Sequence, residues 1–262
     1  MDLRIAAVLL AACSSSGKPV EDAKRPSPPS PPPSAGSDAA ASAADAPAPR
    51  PAATTGDVSV RVEWPGVTAE VRASPGSTPC GTPRAPQAAP TTTFGIPDAV
   101  VFVDGAPAAP AEARVRLADC ALAPKVAIGS TLIVDSAADR PAKLVLSHRA
   151  QADDPRGKLE ESTPPRTIQL PIAGHAVTAP LDAGSIYALA TDAKDPELAW
   201  IVAATASLTD ASGVALVKDV SPGVHAVRAW LPPRAGRPAR VASGKVTVEA
   251  GELAELTLKL EP

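Results

Sequence analysis

The chain has few aromatic side chains and no long apolar run. Its 262 residues include two Phe, one Tyr and three Trp, so a folded core has to be built mainly from Val, Leu, Ile and Ala. Segments rich in Val and Ile favour strands. No apolar run reaches the roughly 20 residues that a transmembrane helix needs. The composition therefore predicts a β-rich protein without a helix that spans a membrane.

A concentrated basic surface is also missing. The 25 Lys and Arg are outnumbered by 28 Asp and Glu, which leaves a net charge of -3, whereas nucleic-acid-binding domains normally carry a basic patch. The chain has no Walker loop and no Gly-x-Gly-x-x-Gly motif. Ser147 precedes His148, but no Gly-x-Ser-x-Gly elbow surrounds a serine. We therefore predict neither nucleic-acid binding nor catalysis.

Residues 1–13 have the character of a secretion signal that ends at a cysteine. An apolar run over residues 5–12 follows one basic residue, and small residues lead into Cys13. This ending resembles the bacterial lipobox, in which the cysteine is acylated and becomes the new N-terminus. An ordinary signal peptide and a buried apolar start are the alternatives. The lipobox predicts a lipid-anchored protein of the cell envelope, and Ser14 favours the outer membrane by the same resemblance.

Residues 14–56 consist largely of Ser, Pro, Ala and Asp. Such a segment has too few bulky apolar residues to bury a core, so we predict a disordered tether with some polyproline II character. A flexible segment of about 40 residues spans on the order of 35 Å, which holds a folded domain away from a membrane. A recognition role for its Pro-x-x-Pro pattern is the alternative.

From residue 57 onward, short segments with the alternation of strands recur at close intervals. Gly, Pro and Asp separate them, and no segment has a convincing helical period. This pattern predicts an all-β fold of the sandwich type. The predicted strands are residues 58–62, 98–103, 114–117, 125–128, 130–134, 143–147, 167–170, 175–177, the two apolar runs of 186–202, 214–220, 224–231, 245–248 and 253–260.

Two cysteines remain if Cys13 carries lipid. Cys80 and Cys120 form an even pair in an oxidising compartment, which favours a disulfide. Closing a loop of about 40 residues would stabilise the fold by ~3 to 4 kcal/mol. The alternative is metal ligation by thiolate, but no histidine lies next to either cysteine.

An acidic loop separates the two apolar runs of residues 186–202. Its carboxylates, Asp192, Asp195 and Glu197, are of the type that binds calcium through loop oxygens. Lys194 within the loop opposes a cation site, and a solvated turn is the plainer interpretation.

Three histidines complete the set of candidate metal ligands. None of them has a His or Cys neighbour at ligand spacing. We interpret them as ordinary strand residues, with a metal site assembled by the tertiary structure as the alternative. They are His148, His175 and His225.

Residues 57–262 contain an ordered series of weak motifs that resembles a family of bacterial envelope proteins of the cupredoxin-like or methylamine-utilisation type. The resemblance implies a cupredoxin-like Greek-key sandwich over residues 57–203. The motifs are the strand and turn of residues 58–66, Cys80-Gly81, the strand of residues 97–105, Cys120 with Pro124, and residues 127–145.

The copper ligands of that family are not matched. Lys143 stands roughly where copper-binding members have a histidine, and the segment with Asp192 and Asp195 stands where they have Cys and His. A type 1 copper site needs a thiolate, two imidazoles and usually a thioether, but the only methionine is Met1. We therefore expect these degenerate positions to bind no copper, and we expect no cofactor.

Residues 204–262 resemble a carboxypeptidase regulatory-like module of the transthyretin type. The matching motifs are the turns at residues 210–213 and 220–223 and a strand that ends at Trp230. Such modules are not catalytic. We also hypothesise that strand 57–64 pairs into this block, which would make the cupredoxin-like part an insertion.

These features predict a non-catalytic, lipid-anchored envelope protein whose degenerate cupredoxin-like domain is a structural or binding module. Its partners would be the membrane, through the lipid, and an unknown protein or glycan. Two alternatives are a periplasmic protein that binds copper or calcium at a non-standard site, and an accessory domain of a carbohydrate- or peptide-active envelope system.

Overall fold

The computed structural model describes residues 54–65, 95–108, 110–138, 140–155, 164–194, 196–233 and 238–260. The predicted signal peptide, nearly all of the tether, and the sites Cys13, Cys80 and Asp195 lie outside these residues. The described residues form strands and no helix, so the all-β prediction is confirmed. No helix with the length and apolar character needed to cross a membrane occurs in this part of the chain.

Sixteen strands account for most of the described chain. In order they are β1 (Gly56–Glu63), β2 (Val100–Val103), β3 (Glu112–Ala118), β4 (Ala121–Ala123), β5 (Val126–Ile128), β6 (Thr131–Ser136), β7 (Ala142–Gln151), β8 (Arg166–Leu170), β9 (Val177–Pro180), β10 (Ser185–Thr191), β11 (Leu198–Ala203), β12 (Ser207–Leu208), β13 (Val214–Val220), β14 (Gly223–Leu231), β15 (Arg240–Val248) and β16 (Leu253–Lys259).

The strands form four sheets that pack as two sandwiches. In the first sandwich, a sheet of order β13-β1-β16 faces a sheet of order β12-β2-β14-β15. In the second, a sheet of order β5-β11-β10-β7-β8 faces a sheet of order β4-β3-β6-β9. Each pair of facing sheets encloses its own apolar core, as sandwiches do.

The first sandwich is built around β1. Val58, Val60 and Val62 alternate with polar residues and are fully buried in the core, as a half-buried strand requires. β1 pairs antiparallel with β13 and parallel with β16. This is the pairing that the sequence hypothesis for strand 57–64 invoked.

The second sandwich occupies the chain between β2 and β12. β10 lies in the middle of its larger sheet, between β7 and β11. Leu189 on β10 joins Leu132, Leu144 and Ile201 in its core, and these four side chains are fully buried. Apart from Tyr187, the buried members of this core are aliphatic, as the scarcity of aromatic residues implied.

A third apolar cluster joins the two sandwiches. It includes Val100 and Phe102 of β2, Ile186 of β10 and Val202 of β11. β2 and β10 are consequently buried on both faces. This explains why their sequences are continuous apolar runs instead of alternating ones.

The sheets divide the chain at other positions than the predicted ranges 57–203 and 204–262. Both β1 and β2 hydrogen-bond to strands of the C-terminal block, and the second sandwich therefore begins only at β3. The alternation of a strand reveals which face is buried but not which strand is its partner, so the pattern of residues 98–103 could not show this assignment.

Candidate functional site

Lys143 and Asp192, two positions at which the resemblance expects metal ligands, lie side by side. Lys143 is on β7, and Asp192 follows the end of the neighbouring β10. The Asp192 backbone N–H donates to the Lys143 carbonyl at 3.1 Å, and the Lys143 ammonium lies 3.2 Å from the Asp192 carboxylate. Both side chains are about half exposed. An ion pair thus joins the positions at which the resemblance expects metal ligands.

The acidic loop is closed by its own hydrogen bonds. The Thr191 N–H donates to the Glu197 carbonyl at 3.0 Å, and the Glu197 N–H donates to the Thr191 hydroxyl at 2.8 Å. The Glu197 carboxylate is buried and paired with Lys125, which precedes β5. Because a lysine neutralises each of the two described carboxylates of this loop, calcium binding through them is disfavoured. No group of three or more His, Cys, Asp or Glu with metal-binding geometry occurs among the described residues.

The three histidines lie on different elements. His175 is exposed in the connection before β9, two positions before the first residue of that strand, although the predicted strand included it. His148 on β7 packs against Tyr187 with ring centroids 5.1 Å apart. His225 on β14 contacts two backbone carbonyls. The fold therefore gives each histidine separate surroundings.

Tyr187 anchors the start of β10. Its hydroxyl donates to the Asp182 carboxylate at 2.8 Å and accepts from the Asp182 N–H at 2.9 Å. Desolvation of the buried phenol is the main cause that raises the Tyr187 pKa above its usual value. Arg166 lies over the ring, 5.6 Å from its centroid. This arrangement holds Tyr187 neutral and serves to fix the strand.

Cys120 occupies a tight hairpin between β3 and β4. Asp119 and Cys120 are its two central residues, and both have positive φ, 47° and 59°, as a type I′ turn requires. Cys120 is disulfide-bonded. Cys80 lies outside the described residues, and its pairing with Cys120 stays a prediction.

A cleft between the two sandwiches is a candidate binding site that the sequence did not reveal. Arg228 of β14 lies beside it, with its guanidinium 6.0 Å from the Phe102 ring centroid. The same guanidinium donates to the Asp153 carbonyl, just beyond β7. The cleft is divided into cavities of about 430 and 310 Å³, both lined by Asp153 and Arg228.

The walls of the cleft combine polar and apolar residues, and their charged residues include more acids than bases. Asp104, Gln151 and Thr205 line the larger cavity, and Asp154 and Ser243 line the smaller one. No local motif could have shown this set, because its members come from both sandwiches and meet only in the tertiary structure.

The chain has no detectable relative in the comparisons: no family model, curated protein or solved structure matches it. The cupredoxin-like and carboxypeptidase regulatory-like assignments therefore stay predictions.

Proposed function

We propose that the protein is a non-catalytic, lipid-anchored envelope protein whose cupredoxin-like domain binds no copper and acts as a structural or binding module. The observation that carries this proposal is the ion pair between Lys143 and Asp192. The Lys143 ammonium and the Asp192 carboxylate neutralise each other at the positions where a copper-binding relative would present imidazole and thiolate.

The chemistry of Lys143 and Asp192 opposes copper binding. Lysine is a cation and not a soft ligand, and a type 1 site depends on sulfur and imidazole. Bringing a divalent cation to Asp192 would place it close to the Lys143 ammonium. The repulsion between the two cations would offset the attraction to one exposed carboxylate.

Support for a binding role comes from the cleft between the sandwiches. An apolar interface holds its two walls in place, so a partner would meet a preformed surface that presents acidic groups. Asp104, Asp153 and Asp154 suit hydroxyl or amine groups, which fits the expected protein or glycan partner.

The copper-free state can be tested on the intact chain, extracted in detergent if it carries lipid. The protein is incubated with copper, zinc or calcium, desalted and assayed by metal mass spectrometry. We expect far less than one ion per chain, both in the wild type and in a Lys143→Ala variant. Stoichiometric copper that is lost in His148→Ala or His175→Ala would overturn the proposal in favour of a non-standard metal site.

The lipid anchor needs its own experiment. Cells that express the full chain are labelled with a fatty-acid analogue, and the labelled protein is followed through membrane fractionation. We expect label and membrane association in the wild type and in Cys120→Ser, and neither in Cys13→Ala. Labelling that persists in Cys13→Ala would refute the anchor without bearing on the copper-free domain.

A further inference from the structure

His225 is held between two backbone carbonyl groups. Its Nδ1 lies 2.6 Å from the Asp104 oxygen, in the turn after β2. Its Nε2 lies 2.7 Å from the Ser221 oxygen, in the turn before β14. A carbonyl oxygen only accepts hydrogen bonds, so both ring nitrogens have to donate for both contacts to be favourable.

The charge of the ring decides whether both contacts are favourable. A neutral imidazole carries one N–H, and its second nitrogen presents a lone pair. In that form, one of the two contacts sets a lone pair against a carbonyl oxygen and is repulsive. Only the imidazolium ion donates to Asp104 and Ser221 at the same time.

Three charged residues on the elements next to this ring are Lys245, Asp219 and Asp104. Val246 is its cross-strand partner on β15, and Lys245 pairs with Ala226 and so projects from the opposite face of the sheet. The Asp219 carboxylate, at the end of β13, lies 3.5 Å from the Thr55 hydroxyl. Asp104, which accepts from the ring through its backbone carbonyl group, is the ionisable residue of the turn itself.

The ring also packs directly on the turn that it binds. A Cβ added at Gly105 would lie 3.0 Å from the His225 ring. The Asp104 N–H donates to the Ala226 carbonyl at 3.0 Å, and the Ala106 N–H donates to the Val103 carbonyl at 3.2 Å. Residues 104–106 line the larger cavity of the cleft, so His225 supports one wall of the cleft from behind.

We propose that His225 is a pH-sensitive clasp for this wall. Protonated, it fastens the turn of residues 104–106 to the turn at Ser221. On losing its proton it keeps one contact and repels the other carbonyl, and the turn loosens. Because only the protonated ring donates to both carbonyl groups, lowering the pH would order this wall of the cleft and raising the pH would relax it.

Hydrogen exchange on the intact chain tests the clasp. After correction for intrinsic rates, we expect protection of the 104–106 amides to fall about tenfold between pH 5.5 and pH 7.5 in the wild type. A His175→Gln variant should behave like the wild type, because His175 is exposed and remote in sequence from both turns. His225→Gln should show no such change, since an amide side chain keeps its donor at both pH values.

Equal protection at both pH values in the wild type would overturn the proposal, as would an unchanged pH response in His225→Gln. If His225→Gln does not fold, ring nitrogen NMR of the wild type decides the matter. Two slowly exchanging ring N–H signals from His225 at pH 5.5, beside rapidly exchanging ones from His175, support the clasp. Equally rapid exchange from both histidines contradicts it.

Discussion

Trp200 and Trp230 meet edge to face where the two sandwiches join, with ring centroids 5.5 Å apart and ring planes at 89°. Trp200 lies on β11 of the second sandwich and Trp230 on β14 of the first. Trp230 is almost completely buried, and the pair lies within the apolar cluster that joins the sheets. The second sandwich therefore packs directly against the first and is not merely linked to it by the chain.

Replacing Trp230 should weaken both sandwiches together. Trp230→Ala removes a large buried side chain from the joint, and such truncations cost about 3–5 kcal/mol. We expect one cooperative transition in urea, shifted by that amount. Trp200→Phe, which keeps an aromatic ring, should cost clearly less. A loss of unfolding free energy below about 1 kcal/mol in Trp230→Ala would show that this contact does not stabilise the interface. Separate unfolding transitions in the wild type would show that the two sandwiches unfold independently.

Tyr187 should make the fold sensitive to alkali. Its folded-state pKa is raised above 10.0, mainly by desolvation, so the folded state holds the phenolic proton more tightly than the unfolded state does. The stability that this provides is complete below pH 10.0 and is lost as pH rises through the folded-state value. Tyr187 is the only tyrosine, so the ultraviolet band of tyrosinate reports on it alone.

The matched variant is Tyr187→Phe, which should abolish the tyrosinate band and flatten the alkaline fall in stability. It should also lose the hydrogen bonds to Asp182, at a cost of roughly 1 kcal/mol at neutral pH. A wild-type titration at or below the value of a free tyrosine would show that the phenol is not desolvated.

Asp210 should give the fold an acid-sensitive turn. Its carboxylate accepts from the Ser212 hydroxyl at 2.6 Å and from the N–H groups of Ser212 and Val214. The Ser212 hydroxyl bond is the main cause that lowers the Asp210 pKa below 3.8. The resulting stability is present above pH 3.8 and is lost as pH falls through the folded-state value.

An Asp210→Asn variant separates the charge from the turn. The amide oxygen can still accept these bonds, so we expect a folded protein whose stability depends less on pH at the acid end. Asp210→Ala should be less stable than the wild type at neutral pH. If denaturant unfolding of the wild type and Asp210→Asn shows the same acid dependence, other carboxylates are responsible.

The two lysine–carboxylate pairs of the acidic loop should differ in strength. Lys143 and Asp192 are about half exposed, so Lys143→Ala should cost less than about 1 kcal/mol, an effect that salt reduces further. Lys125→Ala should cost several times more, about 3 kcal/mol, because it leaves the buried Glu197 carboxylate without its cation. Denaturant unfolding at low and high salt measures both.

Equal losses in the two lysine variants would contradict the assigned burial of Glu197. A Lys125→Met, Glu197→Leu double variant provides the control. It should recover part of the lost unfolding free energy, because it also removes the buried Glu197 carboxylate that Lys125→Ala leaves unpaired.

Much of the strand inventory was predictable from local sequence. Residues 214–220 were predicted as a strand and coincide with β13, because alternation and flanking turns are local signals. The strand predicted at 175–177 is displaced to β9, Val177–Pro180. There the tertiary pairing with β6 decided the boundary, which local propensity places poorly.

The candidate site was predictable only in part. The positions Lys143 and Asp192 were identified by resemblance, but their ion pair depends on the pairing of β7 with β10. The cleft beside Arg228 and the clasp at His225 had no sequence signal. His225 contacts backbone carbonyl groups, which every residue carries, and the lining of the cleft comes from segments that are distant in the chain.

By itself, the sequence determined that this chain builds strands around an aliphatic core, because few aromatic residues and recurrent alternation of Val and Leu leave little else to bury. Only the tertiary structure decided that β2 joins the C-terminal block, that two sandwiches share an apolar joint, and that a polar cleft opens beside it. The physical reason is that side-chain pattern selects the buried face of a strand, whereas its neighbours are chosen by the packing of the whole chain.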